Sequence, residues 1–213
     1  MLKRLVYVIN KKKVQRLIQN LKLQVTSFSR KIRKYSSYKG TIGKVTDNKI
    51  NRNFKVEKVY TYITTDITEF KYLEKDKNGN YQVKKLYINP YLDMYNSEII
   101  SYEISKHPTL EPIQKALEKA IEVTSVNKHQ RIFHSDQGWA YQIKQYRSKL
   151  EEEEGISQSM SRKGNCLDNS IMENFFGILK QEIYYGKKFY SYKELKEKLG
   201  YLSPIEYREK NAA

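Results

Sequence analysis

Arg131-Ile-Phe-His134 is a short apolar run that passes straight into Ser135-Asp136-Gln-Gly138. A strand ending on an acid, in a chain that alternates strands with helices, is the pattern of an open α/β sheet whose strand ends present a ligand site. The flanks agree. Upstream, Leu110, Ile113, Ala116, Leu117, Ala120 and Ile121 recur at helical spacing between Thr109 and Val123. Downstream, Tyr141 to Glu153 reads as helix and Ile156 to Met160 as a strand. Ile171 to Tyr184 predicts a strong helix, with Met172, Phe175, Phe176, Leu179 and Ile183 on one stripe. Working back, Val59-Tyr-Thr-Tyr-Ile-Thr-Thr65 is β-branched and aromatic and predicts a strand. Asn78-Gly79, within Glu74 to Asn80, is a hairpin signal. Tyr81 to Ile88 predicts a second strand, closed off by Pro90, and Glu98 to Ile104 a third. Three early strands followed by alternating helix and strand predict an α/β fold, a mixed sheet flanked by helices.

The chain has 213 residues and a formal net charge of +16. The excess is local. Residues 1–58 hold 17 Lys and Arg against Asp47 and Glu57, while residues 59–213 hold 23 basic and 22 acidic side chains. A basic arm on a nearly neutral body points to a polyanion such as nucleic acid, because lysines and arginines displace counterions from phosphates; a solubilising tail is the alternative. Within the arm, Val14, Leu17, Ile18 and Leu21 predict a short amphipathic helix ringed by Lys11, Lys12, Lys13, Arg16 and Lys22. From Thr26 to Asn53 the pattern fades and predicts an extended linker, where Tyr35, Tyr38 and Phe54 among the lysines and arginines are weak candidates for base stacking. No run approaches the roughly 18 apolar residues of a membrane span, and the N-terminus lacks a signal-peptide cleavage site. The lone Cys166 excludes an internal disulfide and a cysteine-based zinc finger, and His107, His129 and His134 have no metal-ligand spacing. These readings predict a soluble protein of a reducing compartment.

Three acids stand out by position. Asp66 closes the first strand, Asp136 follows the strand at 131–134, and Glu173 lies on the 171–184 helix in a polar stripe with Gly177 and Lys180. Gly177 leaves room beside Glu173 for a backbone or a ligand. Dispersed carboxylates suit two-metal phosphoryl transfer. Hard oxygen ligands hold Mg²⁺ or Mn²⁺, and two ions about 3.5–4 Å apart activate the attacking oxygen and stabilise the leaving one. Asp66 is the candidate bridge between the ions, and Lys180 a candidate phosphate contact. Each acid also has a structural reading. Ser170-Ile-Met-Glu173 fits a capping box, Asp136 fits a turn or an N-cap, and Asp66 fits a turn. His134 reads as a hydrogen-bonded sheet-edge residue and Trp139 as packing, and spacing does not exclude Glu69 or Asp93 as further site acids.

Four segments together carry a resemblance. Thr65-Asp-Ile-Thr-Glu-Phe70, Phe133-His-Ser-Asp-Gln-Gly-Trp139, Gln158-Ser-Met-Ser-Arg-Lys-Gly-Asn-Cys-Leu-Asp-Asn169 and Met172-Glu-Asn-Phe-Phe-Gly-Ile-Leu-Lys180 resemble the catalytic product of bacterial insertion-sequence transposases of the IS-three family, in the DDE superfamily with retroviral integrases. The resemblance implies an RNase-H-like fold with Asp66, Asp136 and Glu173 as the ligands of two Mg²⁺ or Mn²⁺ ions. It also implies that Lys180 contacts DNA, and that the protein cuts and joins element ends. A catalytically inactive DNA-binding remnant is the alternative, and a general nucleic-acid-binding protein with structural acids a third. Thirty-six residues separate Asp136 from Glu173, one more than the family's usual spacing, with the extra residue near Glu151-Glu-Glu-Glu154. Ile63 stands where the family usually has Trp, and Ser191-Tyr-Lys-Glu-Leu-Lys196 joins Glu197 without the family's additional helical stretch.

The resemblance implies a basic arm with a partial helix-turn-helix-like segment and linker at 1–54, an integrase-like core at 55–190 and a shortened tail at 191–213. DNA, as element ends and target, is the expected partner, together with the upstream-frame product and further copies of this chain, and no membrane. The expected location is the bacterial cytoplasm, at the nucleoid.

Overall fold

The computed structural model describes residues 10–23, 43–127, 129–153 and 155–200. The chain divides into two compact units, residues 1–33 and 34–213. In the first, α1 (Lys11–Asn20) begins on Asn10, whose side-chain oxygen accepts from the Lys12 N–H at 2.9 Å. Lys11, Lys12, Lys13 and Arg16 are all exposed on it, and the helix buries none of its residues. Its apolar stripe is half open to solvent, with Leu21 63% exposed.

The second unit is built on a mixed sheet. Strands β1 (Tyr62–Thr65), β2 (Thr68–Lys75), β3 (Tyr81–Asp93) and β4 (Glu98–Ser105) precede α2 (Leu110–Thr124). Then follow β5 (Arg131–Ser135), α3 (Trp139–Gln142), α4 (Lys144–Glu151) and β6 (Ile156–Met160). A 3-10 turn at Cys166–Asn169 leads into α5 (Ser170–Ile183), and α6 (Tyr192–Leu199) ends the described chain. β3 pairs antiparallel with β1, β2 and β4. Because Tyr91 pairs with both Thr65 and Ser101, β1 and β4 lie on opposite edges of β3, and β2 continues the β1 edge. β5 runs parallel to β1, and β6 parallel to β5.

Side chains alternate across this sheet and define two cores. Ile63, Tyr91, Phe133 and Met160 pack on one face with Ile113, Leu117 and Ala120 of α2 and with Tyr141, Tyr146 and Leu150 of α3 and α4. Phe70, Leu86, Ile88 and Leu92 pack on the other face with Met172, Phe176 and Leu179 of α5 and Leu195 and Leu199 of α6. Ile63, where the resemblance led one to expect Trp, is fully buried beneath α2.

The sheet departs from the sequence reading in four places. β3 does not stop at Pro90 but runs through it to Asp93. The register sets Asn89 and Pro90 opposite Asp66 and Ile67, in the gap between β1 and β2, so the missing proline N–H falls where the ladder is already interrupted. The hairpin's first arm is β2, a half-alternating strand hidden behind its charges. The helix read from Tyr141 to Glu153 is broken at Ile143, whose backbone is extended. His134 lies on β5 between β1 and β6, away from any sheet edge.

The described part of the segment expected to be an extended linker from Thr26 to Asn53, residues 43–53, is anchored to the core at several points while most of its residues stay exposed. Ile50 is buried, the Lys44 N–H donates to the Gln142 carbonyl at 3.3 Å, and the Lys49 N–H donates to Ser159 Oγ at 2.9 Å. A Cβ on Gly43 would sit 2.0 Å from the Gln142 carbonyl oxygen, so only glycine allows this approach. The rest of that expected linker, with Tyr35 and Tyr38, and the tail beyond Gly200 lie outside the described residues.

Candidate active site

The parallel register of β1 and β5 decides where the first two acids meet. Thr64 pairs with His134, and two residues further along each strand come Asp66 and Asp136. Both carboxylates therefore emerge side by side at the carboxyl ends of adjacent strands. They line one pocket of about 220 Å³ with Glu69, Tyr87, Trp139 and Tyr141. Asp66 Oδ1 accepts from the Ile67 N–H at 2.7 Å, and Asp136 Oδ1 from the Gly138 N–H at 2.8 Å. The turn reading of Asp136 thus holds alongside its place in the pocket. Gly138 is dictated by the contact: a Cβ there would stand 2.8 Å from Asp136 Oδ1.

Helix α5 brings Glu173 and Lys180 to the same region. At its start, Thr64 Oγ1 donates to Asn169 Oδ1 at 2.9 Å. Further along, Lys180 Nζ donates to Thr68 Oγ1 at 2.5 Å and lies 5.3 Å from the centre of the Phe70 ring. The helix thus lies along β1 and β2, with Glu173 between two anchors that bracket Asp66. Asn169, not Ser170, occupies the N-cap position and its side chain makes no capping bond, so the capping-box role of Glu173 is absent.

The electrostatics distinguish this group. Burial holds the Asp66 carboxyl well above its ordinary 3.8, the negative charges of Asp136 and Glu173 add to the rise, and the Ile67 N–H and Lys180 pull against it. Burial also raises Asp136, and it raises the exposed Glu173 on α5 as well. The phenol of Tyr141, buried under the pair, is pushed up by burial and by the charges of Asp66 and Asp136. Among the described residues, no group of three or more acidic, histidine or cysteine side chains stands in a metal-holding arrangement. The acids form a close pair with Glu173 exposed on the facing helix. The donor set nonetheless fits a hard divalent cation. It is all oxygen, and the like charges of the pair raise one another's cost in a pocket where a cation would relieve both.

The other acids separate by position. Glu69 lines the pocket but is paired with Lys85 at 2.8 Å. Asp93 is buried at the far end of β3, where it accepts from the Tyr60 and Tyr95 N–H groups. His134 is buried with Nδ1 2.9 Å from Ser159 Oγ and Nε2 3.1 Å from Ser161 Oγ, and burial lowers it to about 4. Trp139 packs against the α2-side core while lining the pocket.

Sequence reasoning passed over Asn89 and Tyr141. Asn89 Nδ2 stands within hydrogen-bond reach of Thr65 Oγ1 at 2.9 Å, Tyr141 Oη at 3.1 Å and the Asp66 carbonyl at 3.3 Å, closing the gap between β1 and β2. Its signal was an amide inside the apolar run Leu86-Tyr-Ile-Asn-Pro-Tyr-Leu92. The strand that follows the extra residue expected near Glu151–Glu154 keeps its place: β6 pairs with β5 in regular register from Arg131 opposite Ile156 to Ser135 opposite Met160.

Similarity to known proteins fits this geometry. Residues 56–166 match the integrase core domain family, and residues 173–211 match a second integrase core domain model. A transposase-like protein of Haemophilus influenzae is 43% identical over 94% of this chain and 93% of its own length. A putative transposase, InsK of insertion element IS150 from Escherichia coli, is 39% identical over 94% of this chain and 71% of its own length. The catalytic domain of Mos1 mariner transposase superposes with a TM-score of 0.50 at 18% identity, over 66% of this chain and 68% of that one, which supports the RNase-H-like fold alone. This chain belongs to the insertion-sequence transposases of the DDE and integrase superfamily.

Proposed function

We propose that the chain cuts DNA at the ends of an insertion sequence and joins those ends to a target, with Asp66, Asp136 and Glu173 holding two Mg²⁺ or Mn²⁺ ions. The observation that carries this reading is the β1–β5 register, which brings Asp66 and Asp136 to adjacent strand ends; the charge of Glu173 on α5 acting on Asp66 supports it. When bound, the ions supply activation of the attacking oxygen and stabilisation of the leaving one. The chain's own groups do the rest. Gly138 and the Ile67 N–H fix the orientation of Asp136 and Asp66. Lys180 places a positive charge beside Asp66, where it holds a DNA phosphate. Water or a DNA 3′-hydroxyl is the nucleophile, so no serine or cysteine is required. Lys11, Lys12, Lys13 and Arg16, exposed on α1, neutralise the DNA backbone.

The test is nicking of DNA that carries the element ends, titrated with Mg²⁺ and Mn²⁺. The parent nicks only with metal, and Asp136→Asn binds the DNA but does not cut it. Cutting by Asp136→Asn at the parental rate overturns the assignment. Salt-sensitive binding with no metal-dependent cutting by the parent identifies an inactive DNA-binding remnant. Sedimentation on end DNA, with and without the upstream-frame product, reads self-association and that partner. The same reading places the protein at the nucleoid in the bacterial cytoplasm, which imaging of a tagged chain checks.

A further inference from the structure

Asp168 stands outside the pocket, yet its backbone and its neighbour join both catalytic strands. His134 Nε2 lies 3.2 Å from the Asp168 carbonyl, and Asn169 Oδ1 accepts from Thr64. Thr64 and His134 are register partners, each two residues before an acid of the pair. Glu173 follows one helical turn later. One junction, residues 168–169, therefore fixes the start of α5 against the strand ends that carry Asp66 and Asp136.

The side chain of Asp168 holds that junction in place. Its carboxylate, with 0% exposure, accepts from the Arg162 N–H, Nε and Nη2 at 3.0, 2.9 and 2.8 Å. It also accepts from Arg52 Nε and from Asn48 Nδ2, each at 2.9 Å. Arg52 Nη2 reaches Asn165 Oδ1 at 2.8 Å as well. These partners arrive on the segment Asn48–Arg52, whose own fold is built for the task. Asn48 Oδ1 accepts from the Ile50 and Asn51 N–H groups, and Asn51 and Arg52 both adopt left-handed backbone, at φ 49° and 62°. Two successive non-glycine residues in that region are uncommon and persist only where the surroundings impose them. The same segment reaches His134 through Ser159, whose Oγ accepts from the Lys49 N–H and lies 2.9 Å from His134 Nδ1. Asp168 is held far below its ordinary value by Arg162 first, with Arg52 and Asn48 contributing, so it stays charged throughout.

We propose that Asp168 is a positioning residue for strand cleavage, and that the segment Asn48–Arg52 is a clasp that sets the approach of Glu173 to Asp66 and Asp136. This rests on the function proposed above. The clasp acts on turnover and not on DNA affinity, because it touches the helix start and not the pocket.

The experiment compares the parent with Asp168→Asn, Arg52→Ala and Arg52→Lys on end DNA with Mn²⁺, reading turnover and DNA affinity separately. It also follows amide hydrogen exchange of the metal-free chains. Misplacement of one carboxylate predicts turnover lower by roughly ten- to a hundredfold in Asp168→Asn and Arg52→Ala. DNA affinity stays at the parental value, and Arg52→Lys, which keeps the charge and one donor, lies between. Amides of Asn174 to Ile178 exchange faster while those of α2 do not change. Parental turnover and parental exchange in both variants overturn the proposal. A loss confined to DNA affinity also overturns it and makes Arg52 a phosphate contact. If the parent itself does not cut, the proposed function fails and exchange alone decides the clasp: faster exchange supports it and unchanged exchange removes it. If Asp168→Asn does not fold, Arg52→Ala, at a side chain 42% exposed, carries the same readings.

Discussion

Two settings for buried carboxylates are joined through the start of α5, one in the turn before the helix and one at the ends of β1 and β5, and they are built on opposite principles. Around Asp168, two arginines, an asparagine and a backbone N–H converge, and the acid is held far down in pKa. Around Asp66 and Asp136, burial pushes both acids up, and the charges of Asp136 and Glu173 push Asp66 further, with Lys180 giving it only partial relief. An acid satisfied by its own chain holds the framework, here the junction that sets the start of α5. A pair that the fold leaves under mutual repulsion waits for something cationic, and strain of that kind concentrates at working sites.

Asp136→Asn tests the contrast with the largest effect. It should abolish metal-dependent nicking, a loss of roughly a thousandfold or more if the site works by charge stabilisation. In the absence of metal it should also make the protein more stable at neutral pH, because it removes one of two repelling charges. The sign follows from linkage. A carboxyl raised in the folded state imposes a penalty that is absent well below the ordinary 3.8, grows as pH rises toward the folded value, and is complete above it. Denaturant melts across this range should show Asp136→Asn losing less stability than the parent between acid and neutral pH. A destabilised Asp136→Asn at pH 7 would place the pair with the fold-serving acids.

Asp168→Ala should move the other way. Removing the acid leaves Arg52, Arg162 and Asn48 without their shared acceptor, and breaking a buried ion pair costs on the order of 3 kcal/mol. The half-exposed guanidiniums keep the loss at the low end of the usual range. Here the folded pKa is depressed, so the stabilisation is present above the ordinary 3.8 and lost as pH falls below it. The variant should therefore have a flatter acid limb than the parent. Thermal melts between neutral and strongly acid pH measure both effects.

The comparison also shows what was legible in the sequence. Asp66 and Asp136 were readable because each follows a strand of distinctive composition, and the helix of Glu173 because its apolar stripe is regular. Their meeting was not readable from spacing, since the pairing of Thr64 with His134 joins residues 70 positions apart. Asp168 lay in plain view within the quoted motif, but its partners Asn48 and Arg52 sit in a polar stretch with no periodicity. That stretch reads as an extended linker because side-chain anchors across more than 110 residues leave no local pattern. Pro90 misled for a related reason: its cost depends on the neighbouring strand, which has its gap at that point.

Gly138→Ala probes the orientation of the pair without altering its charge. The new Cβ would contact Asp136 Oδ1 at 2.8 Å, and the backbone there is at φ −60°, so the strain falls on the carboxylate and not on the chain direction. Turnover should fall about tenfold or more, with the unfolding midpoint close to the parent's. A large drop in stability with parental turnover would mean that the turn serves the fold and not the site.

Gly177→Ala should give the smallest change. The glycine lies mid-helix on α5, on the exposed stripe between Glu173 and Lys180, and nothing in the described chain comes within 4 Å of a Cβ placed there. On helix propensity alone, alanine stabilises such a position by up to about 1 kcal/mol. A residue kept for the fold would not be glycine. If turnover on end DNA falls while the melting temperature rises, the missing side chain leaves room for the substrate, and this stripe of α5 joins Asp66 and Asp136 as surface where stability is given up to make room for DNA. If turnover stays at the parental level as stability rises, the substrate does not approach α5 at this turn. Glu173 and Lys180 then act on DNA that lies on the pocket side of the helix.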